Sequence, residues 1–183
     1  MGRRKAILLF TLLGNLVSLT SWAQVARGEI GAVYSAKQAG ITYVKTGGER
    51  EPWSVLRLTA DIWDVVKGES DLPGVKMMYD ICYPVKSWTS LNTGTRLDLV
   101  AGPGISAGLV RDHEAEKYHA IFGLSGMIGI FHHFAGNVAI GIDLSGEVAI
   151  SARGRKFEST KLSFYKHGIM QFPIPELLIT YRF

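Results

Sequence analysis

One cysteine, Cys82, is present among 183 residues. No internal disulfide can form, so packing and hydrogen bonds must hold the fold. Beyond the first residues, no apolar run reaches the roughly 20 residues that a membrane-spanning helix needs. A helical inner-membrane protein is therefore not expected. An excess of one charge is also missing once the N-terminus is set aside. MGRRK is basic, AILLFTLLGNLVSL is apolar and SWA is a small-x-small ending. Together they read as a secretory signal, residues 1–23, cut after Ala23. Arg3, Arg4 and Lys5 leave with it, so 20 Lys and Arg become 17 against 16 Asp and Glu. The formal +4 falls to +1, and nucleic-acid binding is not indicated. No cysteine follows the signal, so no lipid anchor is expected there. Residues 24–183 suit one domain.

What is present is period two. In NVAIGIDLSGEVAIS, Val138, Ile140, Ile142, Leu144, Val148 and Ile150 share one face. Asn137, Ala139, Gly141, Asp143, Ser145, Glu147 and Ala149 share the other. A helix would scatter these residues, whereas a strand sorts them. The stretches VKMMYDICYPV, TRLDLVAGPGISAGLV and KYHAIFGLSGMIGIF repeat the pattern. The spacing predicts about eight strands: 25–36, 52–66, 74–87, 94–110, 117–132, 136–151, 160–166 and 174–183. Several exceed the five or six residues typical of soluble sheets and suit the 9–11 of a tilted membrane strand. Glycine-bearing or polar turns such as TGGERE, KGESDLPG and LNTG fill the gaps. Pro103 predicts a bulge near Gly102–Gly104, because proline cannot donate to a ladder. Pro173 and Pro175 interrupt the approach to the last strand.

Alternation alone fits two architectures. A soluble sandwich turns its apolar faces onto each other. A membrane barrel turns them onto lipid. The opposite face discriminates, because it carries ions of both signs and many glycines. Arg27, Glu29, Arg57, Asp61, Lys76, Asp80, Arg96, Asp98, Asp143, Glu147 and Arg182 share its parity, as does Glu176. So do Gly31, Gly102, Gly104, Gly108, Gly123, Gly129 and Gly141. A solvated face gains nothing by shedding volume, whereas the inside of a narrow barrel must. Charges enclosed there need near-balance of sign. Tyr34, Tyr83, Tyr118, Tyr181 and Phe183 have the outward parity near strand ends, as interfacial girdles do. The expected fold is an all-β, antiparallel, up-and-down transmembrane β-barrel of about eight strands.

The final residues carry a resemblance. PELLITYRF, with Leu177, Ile179, Tyr181 and Phe183 on one face, resembles the C-terminal signal strand of Gram-negative outer-membrane β-barrel proteins. Gln24 to Phe183 as a whole is similar to the small barrel domains of that class. The resemblance implies an outer-membrane location, contact with outer-membrane lipid and recognition of the last strand by the barrel assembly machinery. It covers the architecture well and the activity poorly, because that architecture hosts several activities; the expected role is structural or surface-binding, in a monomer without a cofactor. With the N-terminus periplasmic, 37–51, 88–94, 132–136 and 166–175 would face outside. Residues 67–73, 111–116 and 152–159 would face the periplasm.

Three chemical readings compete with that role. AGPGISAG looks like a nucleotide loop, but strand rather than helix follows it. His132 and His133 face opposite sides and cannot jointly chelate one ion. Some small barrels are lipid A deacylases with a His/Ser/Glu triad. Here His133 is followed by Ala135 where the serine would stand, with Glu147 downstream, so the nucleophile is missing. An enzyme acting on envelope lipid and a narrow solute channel remain the alternative functions.

Overall fold

The computed structural model describes residues 27–47, 51–68, 72–112, 117–155, 158–165 and 167–183. The predicted signal 1–23 lies outside them. The fold is an all-β, antiparallel, up-and-down sheet of eight to nine strands that closes in a ring. In chain order these are β1 (Arg27–Tyr34), β2 (Gln38–Thr46), β3 (Trp53–Asp61), β4 (Gly74–Ser90), β5 (Thr95–Asp112), β6 (Lys117–His133), β7 (Val138–Arg155), β8 (Glu158–Tyr165) and β9 (Pro175–Arg182). Among the described residues two single-turn helices interrupt them, α1 (Trp63–Val66) and α2 (His167–Met170). No helix among the described residues is long and apolar enough to cross a membrane.

Each strand pairs with the next from β1 to β7, and β9 closes the ring between β7 and β1. A row of paired residues can be followed around it. From Arg96 the row passes His133, Ala139, Thr180, Gly31, Thr42, Arg57 and Met78. It returns to β5 at Ser106, ten residues beyond its start (106 − 96). The ring is thus strongly staggered, as closure of twisted strands requires.

β8 and β9 together make one stave. β8 pairs with β7 from Ala149 to Arg155, and β9 pairs with it from Val138 to Leu144. Between them the chain leaves the ladder through α2, where Pro173 and Pro175 have no amide to donate. The sequence reading made 160–166 and 174–183 two staves, and this is corrected. It also missed β2, which lies inside the segment taken as loop 37–51. Gln38, Gly40, Thr42 and Val44 alternate with Ala39, Ile41, Tyr43 and Lys45, a contrast too weak to read as two faces. Both errors leave the count near eight but invert the ends. The turns at 91–94 and 134–137 lie at the same end as β1's start and β9's finish. Lys67, Gly68, Leu72 and Pro73 of the β3–β4 connection lie at the opposite end. The predicted strand 52–66 stops at Asp61, whose Oδ1 accepts the Trp63 amide at 3.2 Å and starts α1.

The expected bulge at Pro103 is not there. Pro103 pairs with Gly126 in an unbroken β5–β6 register. On its β4 side the ladder has no partners at Ile81 and Cys82, yet resumes in the same register. The register shift falls between Pro84 and Lys86, where Val85 is the extra residue.

The two faces differ in kind. Outside, Leu124 is 69 % exposed and Ile142 59 %, with Ile105, Phe122, Ile130, Leu58, Ile41 and Ile179 also exposed. Ile81 and Ile140 do not meet in a shared core; they are 40 % and 38 % exposed. Inside, Asp143, Glu176, Arg57 and Asp98 are at most 1 % exposed.

Candidate functional site

The interior is filled in layers. At the end holding the termini, Glu29 on β1 accepts from Arg182 Nε at 3.0 Å and from Thr180 Oγ1 at 2.7 Å. Arg182 also reaches His133 Nδ1 at 2.6 Å, and His133 Nε2 lies 3.4 Å from Asp98. Asp98 accepts from Ser87 Oγ at 2.5 Å and from Arg96 Nε at 2.8 Å. Arg96 and Asp98 lie two apart on β5, so they share a face and can touch.

Next comes an apolar layer of Trp53, Phe131, Val44, Val55, Cys82, Val100, Met127, Leu178 and Val33. Each is at most 4 % exposed. Trp53 and Phe131 pack edge to face with centroids 5.6 Å apart. Phe131 fits because Gly129 and Gly141 flank it. A Cβ on Gly141 would stand 2.7 Å from its ring, and one on Gly129 would stand 3.1 Å away.

Beyond that layer lies the central charge cluster. Arg57 NH2 donates to Asp143 Oδ2 at 2.6 Å, and its NH1 lies 3.6 Å from Glu176. Lys37 Nζ pairs with Glu176 at 2.6 Å and donates to the Ser145 carbonyl at 2.5 Å. Gln38 donates to Glu176 at 2.8 Å, and the Ser145 hydroxyl also donates to that carboxylate. Ser125 donates to Asp80 at 2.7 Å. Farther on, Lys76 is held at 3.1 Å from both Asp61 and Glu147, and Tyr165 donates to Asp61 at 3.0 Å.

Among the residues singled out from sequence, the interior therefore holds two groups. Glu29, Arg96, Asp98 and Arg182 form one. Arg57, Asp61, Lys76, Asp80, Asp143 and Glu147 lie in the other. Arg27 begins β1, but its side chain is outside the described residues. Within the second group Arg57 meets Asp143, and Lys76 joins Asp61 to Glu147. Leu177, Ile179 and Tyr181 alternate outward on β9, and Phe183 follows them, 72 % exposed.

Sequence reasoning missed Lys37, which it left in a loop. The β1–β2 turn is closed by Ser35, whose hydroxyl accepts the Lys37 and Gln38 amides at 3.2 and 3.1 Å. That turn brings the Lys37 side chain over the ring and inward. It also missed the apolar layer, although Phe131, Val100 and Leu178 share the parity of the ions.

The deacylase-like residues do not come together. His133 belongs to the cluster at the termini and Glu147 to the far one, with the apolar layer between. His132 points outward and packs on Phe134, centroids 4.5 Å apart. Among the described residues no group of three His, Cys, Asp or Glu side chains is arranged to hold a metal ion. Comparison with family models, curated proteins and solved structures found no match.

Proposed function

We propose that this chain is an integral outer-membrane β-barrel protein of the Gram-negative envelope, exported by a cleaved signal, with a structural or surface-binding role. The carrying observation is the inversion of faces. Large aliphatic and aromatic side chains cover the outside while paired ions are enclosed. In water, each exposed apolar side chain would forfeit about 1.5–3 kcal/mol available on burial. In lipid no such cost arises.

Ring geometry supports the reading. Eight staves with a stagger of ten, at about 3.4 Å per residue and 4.8 Å between strands, give a tilt near 40° and a backbone radius of about 8 Å. Along β6, Tyr118 to Ile130 then spans about 30 Å of height, enough for the roughly 25 Å apolar band of such barrels. Tyr83, Trp88, Tyr181 and Phe183 ring the end with the termini, and Tyr34 and Tyr118 lie toward the other. With the termini periplasmic, the β1–β2, β3–β4, β5–β6 and β7–β8 connections face outside.

The dry layer of Trp53, Phe131 and their neighbours argues for a plugged interior rather than a solute path. The charge clusters then serve to fill and fix the ring. Membrane fractionation with heat-modifiable gel mobility tests the proposal. Recovery in the outer membrane, with faster migration before boiling, is expected. A mature chain that dissolves without detergent refutes it.

A further inference from the structure

The bond that closes the cluster at the termini fixes the position of a proton. A guanidinium only donates, so the 2.6 Å contact between Arg182 NH2 and His133 Nδ1 requires a lone pair on Nδ1. His133 is then a neutral imidazole with its proton on Nε2, which faces Asp98 Oδ2 at 3.4 Å. In this form one side chain of β6 accepts from β9 and turns its donor toward β5. Nδ1 also has a second neighbour. Glu29 Oε1 on β1 lies 3.4 Å away, and an ionised carboxylate only accepts. One nitrogen thus stands between a donor and an acceptor, and each protonation state can use just one of them.

We propose that His133 is an acid-operated latch on the closing strand β9, exchanging Arg182 for Glu29 when Nδ1 takes up a proton. Protonation turns an N–H toward the guanidinium, so two cations face each other at hydrogen-bond distance and the contact opens. The imidazolium instead bridges two carboxylates, Glu29 through Nδ1 and Asp98 through Nε2. Both are already in place. Thr180 Oγ1 holds Glu29 at 2.7 Å, and Ser87 Oγ and Arg96 Nε hold Asp98 at 2.5 and 2.8 Å. Trp53 of β3 packs edge-on against the ring, centroids 5.6 Å apart, and Ala139, the partner on β7, brings no charge. Among the described residues the charged groups facing His133 are therefore Glu29, Asp98, Arg96 and Arg182. The displaced guanidinium has room to turn. Arg182 borders an open cleft of about 390 Å³ together with Phe134, Asn137 and Phe183. Acid thus cuts the side-chain tie that β9 makes across β7 to β6. The backbone bonds from Arg182 to Asn137 and from Phe183 to Gly28 remain. The latch depends on the closed ring and its mouth, not on what surrounds the outer face.

Proton–nitrogen spectra of the histidine and arginine side chains, in the full mature chain folded in nonionic detergent, test this. Through-bond correlation to the backbone assigns His133 and Arg182. The titration runs from about pH 8 to about pH 5, the interval in which an imidazole changes charge. At the upper limit His133 is expected neutral, with its proton on Nε2. On acidification both ring nitrogens become protonated, and the Arg182 Nε–H signal moves with the same midpoint. In His133→Gln the amide can accept from Arg182 and donate to Asp98 at every pH, so the Arg182 signal should stay fixed. A neutral ring protonated on Nδ1, a ring that keeps one charge state throughout, or an Arg182 signal that does not follow the ring overturns the latch. So does an Arg182 transition that persists in folded His133→Gln. Should that variant not fold, the spectra of the unaltered chain still decide.

Discussion

Replacing Arg57 with methionine isolates what the enclosed ions contribute. The guanidinium is fully buried, 2.6 Å from Asp143 and 3.6 Å from Glu176. At an effective dielectric of about 20, these contacts correspond to roughly 6 and 5 kcal/mol of attraction before desolvation. Removing the cation also leaves Asp143 enclosed with no partner of that strength. The net loss should be about 3–5 kcal/mol, as for other broken buried pairs. With a urea slope of about 2–3 kcal/mol per molar, the unfolding midpoint should fall by roughly 1–2 M. Arg57→Met with Asp143→Leu should regain most of that loss, because the double change leaves one fewer uncompensated ion. Unfolding of the detergent-refolded chain, followed by tryptophan fluorescence, measures all three variants. A single variant within about 0.5 kcal/mol of the parent, as expected at an exposed site, would refute the reasoning. So would a double variant no more stable than the single one.

Three further outcomes follow from the same packing. Phe131→Ala empties the volume that Gly129 and Gly141 leave for one ring, and should cost about 3–5 kcal/mol in the same unfolding assay. Gly31→Val should prevent closure, because a Cβ there would run into the Ile179 carbonyl and stand 2.7 Å from Thr180 Cα. Its readout is loss of the heat-modifiable band. Leu124→Arg places a charge on the outer face midway between Tyr118 and Ile130 and should cost about 2–4 kcal/mol in bilayers. The same change on a water-exposed sheet would be nearly silent.

How much of this was legible depended on side-chain contrast. β7 was read correctly because Asp143 and Glu147 alternate with Ile140, Ile142 and Val148, leaving one possible face for each. β2 was not, because Ala39, Gly40, Thr42 and Lys45 carry little hydropathic difference between faces. The prolines at 173 and 175 were seen as an interruption. Whether they separate two staves or break one depends on which edge of β7 each half pairs with, and no local pattern encodes that. The partners of Arg57 and Lys76 were equally hidden. Parity gives the face of a residue, but the stagger of the whole ring decides which ions share a height. Phe131 carried a readable signal, since a ring two residues from Gly129 on the same face implies that it lies over the space the glycine frees.

The most direct measurement is a cysteine scan along β7 in a Cys82→Ser background, with spin-label exposure to oxygen and to a water-soluble nickel complex in lipid vesicles. The account predicts high oxygen and low nickel exposure at 140, 142, 148 and 150, and low exposure to both at 139, 141, 143 and 145. Nickel exposure at 143 and 145, with 140 and 142 shielded from both agents, would contradict it.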